Sequence, residues 1–276
     1  MAKPQCYCAL KPQELVEIAI DWMGADYQVA MLTLSAIEGS APYPVGTQML
    51  VRDDGKYEGQ LTGGCVESSL VEQALDVIQS QQNITERYGL GSRFFDIKLP
   101  CGSGIDVQFD VQSTLEDYQK IVSSLARRQA VTVSDIKTYY PNRRIMLFGE
   151  GLIIEALIKL ATQSGFDVMR FETGEQYNLP QFYDQYTGLV SLFHEHDLEL
   201  DILLSALDSE LFYIGALGSQ KTQAARLQNL ISKGVDEELL NKIHGPIGLD
   251  IGAVTPGQIA VSIIAEIISV MNHHAS

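Results

Sequence analysis

Basic residues are scarce in this chain. Over 276 residues there are 19 lysines and arginines against 35 aspartates and glutamates, a formal net charge of −16. That balance repels nucleic acid and anionic membrane surfaces at long range, so neither is expected as a partner. The acids are scattered rather than gathered in a tail, and any anionic ligand has to be held by a local device such as a helix N-terminus. Membrane-length apolar runs are missing too, although 46% of the residues are apolar and can fill sizeable cores. The stretch Met1-Ala2-Lys3-Pro4-Gln5-Cys6 lacks the apolar segment of an export signal. A cytoplasmic setting is therefore expected, and in that reducing compartment the four cysteines read as thiols. No Cys-x-x-Cys or Cys/His pair surrounds them at ligand spacing, which argues against zinc. No internal repeat or low-complexity segment stands out.

What the chain does have is two cysteines set in glycine-rich turns that also carry a carboxylate. They are Thr62-Gly63-Gly64-Cys65-Val66-Glu67 and Pro100-Cys101-Gly102-Ser103-Gly104-Ile105-Asp106. Glycine lets backbone approach a ligand closely. Thiolate sulfur suits soft metals, and neighbouring carboxylates suit proton transfer. The plain alternative is that both cysteines are small hydrophobes buried in tight turns. Cys6 and Cys8 fall near the chain start and are assigned no role.

The pattern along the chain reads as α/β. An N-terminal mixed α/β domain over 1–140 is followed by a C-terminal Rossmann-like, doubly wound parallel-sheet domain over 141–276, with Pro141-Asn142-Arg143-Arg144 as the linker. In the first half, helices are expected over Lys11–Ala25, after Cys65 (Val66, Leu70, Ala74, Val77 and Ile78 share a face) and over Thr114–Gln129. Strands are expected over Tyr27–Ile37, Thr47–Arg52, Tyr57–Leu61, Phe94–Leu99, Ile105–Val111 and Val131–Tyr139. The helix following Cys65 starts close to the thiol, and a helix N-terminus stabilises anions and lowers a thiol pKa.

In the second half, strand Ile145–Phe148, turn Gly149-Glu150-Gly151, helix Leu152–Gln163 and strand Asp167–Glu172 follow the order of a Rossmann βαβ unit. Glu172 falls where a ribose-binding acid is expected. Ile154 replaces the third glycine, so a domain that binds no dinucleotide remains open beside one that binds a phosphate-bearing ligand. Further strands are read at Leu189–Phe193 and Leu211–Ala216, and helices at Asp201–Leu207, Thr222–Leu230 and Pro256–Met271. His194-Glu195-His196-Asp197 offers imidazoles that could ligate a metal, but its acids are better placed to open the next helix. Two more loops, Gly218-Ser219-Gln220-Lys221 and His244-Gly245-Pro246-Ile247-Gly248-Leu249-Asp250-Ile251-Gly252, are read as facing the same sheet edge as the first glycine turn.

Taken together these motifs resemble the XdhC/CoxI family. Gly39-Ser40-Ala41-Pro42, Val45-Gly46-Thr47-Gln48-Met49 and Gly63-Gly64-Cys65-Val66-Glu67 resemble its N-terminal signature, and Pro100-Cys101-Gly102-Ser103-Gly104 its second. Tyr213-Ile214-Gly215-Ala216-Leu217-Gly218-Ser219 and the loop from His244 to Gly252 resemble the signatures of its Rossmann domain. The resemblance implies a maturation factor, an accessory carrier rather than an enzyme. Such a factor binds and protects molybdenum cofactor, presents it for sulfuration, and passes it to a xanthine dehydrogenase-like apo-hydroxylase. It also implies a cysteine desulfurase as a second partner, and a homodimer.

By the same carry-over, Cys65 and Cys101 would contact the molybdenum. Gly63, Gly64, Glu67, Gly102, Gly149, Gly151, Gly218, Ser219, His244 and Asp250 would bind the rest of the cofactor, as plain molybdopterin or a nucleotide form. Two other readings stand beside this one: an NAD(P)-dependent oxidoreductase using the Rossmann half, and an adaptor without ligand.

Overall fold

The computed structural model describes residues 12–93, 99, 102–133, 137–171, 178–193 and 196–273. Cys6, Cys8, Cys101, Glu172, His194, Glu195 and nearly all of the strand expected over 94–99 lie outside the described residues. The chain divides into two compact units, one ending at Tyr140 and the other beginning at Pro141.

The first unit is built on β1 (Val29–Glu38). Its opening residues, Val29 to Leu34, are buried without alternation, because both faces of the strand are covered. Around it lie β2 (Gln48–Arg52), β3 (Tyr57–Gly59), β4 (Ile84–Gly89) and β5 (Gly104–Asp110), in the order β3-β2-β1-β5-β4 with every pair antiparallel. One face packs on α2 (Glu67–Ser80), whose Leu70, Ala74, Val77 and Ile78 recur at helical spacing. The other face packs on α1 (Pro12–Gly24) and α3 (Leu115–Ala126). Thr114 caps α3: its hydroxyl accepts from Asp117 N (3.2 Å), while Asp117 Oδ2 accepts from Thr114 N (2.9 Å).

Two features depart from the sequence reading. The single strand expected over Val131–Tyr139 is two short strands, β6 (Val131–Val133) and β7 (Lys137–Tyr139), paired antiparallel with each other. Residues 134–136, between them, lie outside the described residues. The edge strand β4 was not anticipated; its centre, Thr85-Glu86-Arg87, reads as polar surface.

Behind β7 lies a polar hollow of about 10 Å³, lined among others by Thr33, Gln48, Asp110 and Lys137 and large enough for about one water. Gln48 Nε2 donates to Thr33 Oγ1 and to the Tyr139 hydroxyl (3.0 Å each), while its Oε1 is buried without a protein partner. Lys137 donates to the carbonyl of Gly46, and burial pushes its amine down to about 8.

In the second unit β9 (Asp167–Phe171), β8 (Arg144–Phe148), β10 (Thr187–Ser191), β11 (Tyr213–Ala216) and β12 (Ile243–His244) form a parallel sheet in the order β12-β11-β10-β8-β9. Helices α4 (Leu152–Gln163) and α8 (Pro256–His273) cover one face. The other is covered by α5 (His196–Leu207), α6 (Gln220–Ser232) and the short α7 (Glu237–Leu240). The strand order reverses between β8 and β10, the point at which open α/β sheets form their carboxyl-end crevice. Among the described residues no helix is long and apolar enough to cross a membrane.

A buried polar network lies beneath the carboxyl edge of this sheet. Ser191 Oγ donates to Glu199 Oε1 (2.8 Å), and Arg226 grips the same carboxylate through Nε (2.9 Å) and Nη2 (3.1 Å). Arg226 Nη2 also donates to the carbonyl of Leu217 (2.7 Å), and Nη1 to Gln223 Oε1. A Cβ on Gly245 would lie 2.1 Å from that oxygen, so the loop after β12 packs directly on the Gln223 side chain of the network. The segments following β10, β11 and β12 are thereby tied together.

Two outcomes follow from these buried groups. Removing one member of a buried ion pair strands the other, so Arg226→Met should lower the unfolding free energy by about 3–5 kcal/mol in denaturant titrations. Unfolding returns the Lys137 amine to its ordinary value near 10.5, so the unfolded chain binds that proton more tightly. The cost of burying the charged amine is fully present below about pH 8 and is relieved as pH rises toward the unfolded value. Between about pH 7 and about pH 9.5, the thermal midpoint of the wild type should therefore rise relative to that of Lys137→Met.

Candidate functional site

Strand register gathers the sequence motifs of the first unit at one sheet edge. Glu38 at the end of β1 pairs with Gly104 at the start of β5. Thr33 pairs with Gln48 at the start of β2, and Met49 with Gly59 at the end of β3. The loop after β1, the Cys65 turn after β3 and the segment entering β5 all emerge at the carboxyl end of β1. They also touch. A Cβ on Gly39 would sit 3.1 Å from Ser103 Cβ, and the Tyr43 hydroxyl reaches Gln60 Oε1 (3.5 Å).

Within the Cys65 turn, Gly63 (φ +77°) and Gly64 (φ +106°) adopt left-handed conformations that side chains resist, and a Cβ on either would meet no atom within 4 Å. Backbone curvature requires these glycines, and the space beside them is open. Cys65 follows as a free, exposed thiol, one residue before the N-cap of α2, Val66. Its neighbour Glu67 points inward. Oε1 accepts from the backbone N–H of Leu61 (3.2 Å) and Thr62 (2.8 Å). Oε2 accepts from the Thr62 hydroxyl (2.7 Å) and from the N–H of Gly64 (2.8 Å) and Val66 (3.2 Å). Burial works to raise this carboxyl, but the hydrogen bonds from Thr62 and the loop backbone outweigh it and hold the group below its ordinary value.

On the second motif, Cys101 lies outside the described residues. Gly102 (φ +67°) is exposed, and its N–H donates to the carbonyl of Leu99 (2.9 Å). The carboxylate of that motif, Asp106, pairs across strands with Arg87 (3.2 Å), which also binds Glu38 and donates to the carbonyl of Leu90 (2.8 Å). Thr62, Tyr43 and Arg87 carry no chemistry that sequence reasoning would single out, and only the register brings them to this edge.

In the second unit the turns after β8 and β11 and the loop after β12 share the carboxyl edge, as a parallel sheet dictates. Gly149 (φ +121°) closes against the segment following β10, where a Cβ would stand 3.0 Å from the carbonyl oxygen of Leu192. Gly151 has open space beside it, but exposed Glu150 puts a negative charge in the same turn, which opposes a phosphate. Ile154 is fully buried in the core. Gly218 packs on Thr222, and Ser219 caps α6 by accepting from Thr222 N (3.1 Å). Asp250 is exposed in its loop.

The imidazole of His244 does not join the glycine turns. Stacked 4.7 Å from the Tyr213 ring, it lines a cleft with residues that precede the strands. Burial and then the charge and hydrogen bond of Glu266 hold the Tyr213 hydroxyl well above its ordinary value, so it donates to Glu266; Oε2 of that carboxylate also accepts from Gly248 N (3.0 Å). As for the histidine-acid run before α5, the helix begins at His196 with Asp197 in its first turn. Among the described residues no three His, Cys, Asp or Glu groups cluster as a metal site.

Known proteins resemble both halves. Residues 22–89 match the model of the XdhC and CoxI family, and residues 145–267 that of the XdhC Rossmann domain. The molybdenum cofactor insertion chaperone PaoD of Escherichia coli strain K12 is 31% identical over 94% of this chain and 88% of its own. A Bacillus subtilis strain 168 protein, described as a probable xanthine dehydrogenase subunit, is 25% identical over 90% of this chain and 95% of its own. Among solved structures, one described as a xanthine dehydrogenase from Bacillus halodurans shares the fold, with a TM-score of 0.74 over 96% of each chain at 22% identity. Both domain types are present in order and the alignment to PaoD is nearly end to end, so the chain belongs to the XdhC/CoxI family.

Proposed function

We propose that this chain holds molybdenum cofactor as cargo and passes it to an apo-hydroxylase of the xanthine dehydrogenase type. The observation that carries the reading is the exposed Cys65 thiol, set on a loop shaped from within and lying at the edge where the family motifs converge. An exposed soft donor beside open glycine backbone fits a metal that arrives with most of its ligands already in place. A closed cage of protein ligands would instead hold its metal permanently, and the described residues contain none. Molybdenum supplies the thiophilic centre. The chain's own part is to present Cys65, with Cys101 as the second thiol, and to keep the edge open to a client. Sulfuration of the held cargo would bring a cysteine desulfurase to this same edge.

Glu67 serves this scheme as a positioning residue, since both of its oxygens are taken by the loop. The stability it contributes is present above its unfolded value near 4.5 and is lost as pH falls through the lower folded value.

The deciding experiment is purification from molybdate-replete cells with assay of bound pterin. Stoichiometric pterin is expected in the wild type and little in Cys65→Ser or Cys101→Ser. If wild-type protein takes up none even after incubation with released cofactor, the reading is wrong. Glu67→Gln turns one acceptor into a donor facing backbone N–H groups, so it should cost about 1–3 kcal/mol of stability and reduce pterin retention, while Cys65 stays alkylatable.

A further inference from the structure

A second concavity lies at the opposite edge of the parallel sheet from the glycine turns. It is an open cleft of about 560 Å³ lined by residues that include Arg143, Gln185, Glu210, Phe212, Lys242 and His244. Small-molecule sites typically span about 300–1,000 Å³, so this cleft has the capacity of one. Its lining has a topological origin: Arg143, Gln185, Glu210 and Lys242 lie just before β8, β10, β11 and β12, and parallel strands all begin at the same edge.

Charge is the unusual feature. In a chain of net charge −16, a lysine, an arginine and an imidazole meet here against one carboxylate. The cations are held in place. Arg143 Nη1 donates to the carbonyl of Gln185 (2.9 Å), and its guanidinium lies 4.9 Å from the centre of the Phe212 ring and 5.5 Å from that of Tyr186. Lys242 Nζ donates to the carbonyl of Leu207 (3.0 Å). Arg143 precedes β8, and its head lies against the Phe212 ring, which itself reaches over Gly188 of β10; Lys242 and His244 line the same cleft at β12. Side chains fixed before binding lose little entropy on binding. The floor is flat: Phe212 lies over Gly188, where a Cβ would stand 3.1 Å from the ring, and His244 stacks on Tyr213 at 19°.

We propose that this cleft binds a small molecule made of a flat ring and one phosphate, as in a nucleoside monophosphate. The phosphate lies between Arg143 and Lys242, and the ring lies along the Phe212 and His244 side. Glu210 accepts from a ring amino group or a sugar hydroxyl and disfavours ligands with a second anionic group. The proposal uses none of the residues assigned to the cofactor edge of the first unit and stands independently of that reading.

Calorimetric titration of the full chain with adenosine 5′-monophosphate, and separately with inorganic phosphate, tests it. The nucleotide should bind with a Kd of about 10–500 μM, and inorganic phosphate at least about tenfold more weakly. Lys242→Gln and Arg143→Gln, checked for unchanged circular dichroism, should each weaken nucleotide binding about tenfold. Glu150→Gln, in the turn at the other edge, should leave it within about twofold. Absence of binding up to about 5 mM nucleotide overturns the proposal. So does binding that survives both cleft substitutions, or inorganic phosphate binding as tightly as the nucleotide.

Discussion

Five donors, four of them backbone N–H groups, converge on the carboxylate of Glu67. A loop with two successive left-handed glycines has little else to hold it, because glycine surrenders more freedom on ordering than any other residue. An internal anion solves that problem locally. It satisfies N–H groups that would otherwise turn to solvent, and it does so at the first residue of α2, where negative charge is favoured. The exposed thiol, the open space beside it and the approach of the loop after β1 all presuppose this one carboxylate.

Much of the architecture was legible because its signals are local. The apolar stripe of α2, the run in β1 and the strand–glycine–helix order around Gly149 each report a period or a turn within a few residues. What stayed hidden depends on partners distant in sequence. β4 is a strand because Arg87 faces Asp106 across a register, and β6 and β7 separate because they pair with each other. Glu67 reads from sequence as a group facing ligand, since nothing in Gly-Gly-Cys-Val-Glu tells which way a carboxylate turns. His244 likewise sits in a glycine-punctuated motif, but its ring belongs to the stack on Tyr213.

Glycines that look alike in sequence perform two different tasks here. Gly63 and Gly64 supply curvature and leave space empty, whereas Gly149, Gly218 and Gly245 are filled positions where a methyl group would strike Leu192, Thr222 or Gln223. Those three serve the packing of loops on one another. This explains how a turn can keep two fingerprint glycines while its remaining residues, Glu150 and Ile154, turn away from phosphate binding. Motif and chemistry separate at the level of what surrounds each Cα.

Because the Cys65 loop takes its shape from an anion within the chain, that shape does not depend on a guest. A site that folds around its cargo loses conformational entropy on loading and has to order and disorder a segment with every transfer. Here the empty and loaded loops can share one backbone conformation. Under the carrier role proposed above, unloading would then be a matter of exchanging a sulfur contact, with no refolding step to delay it.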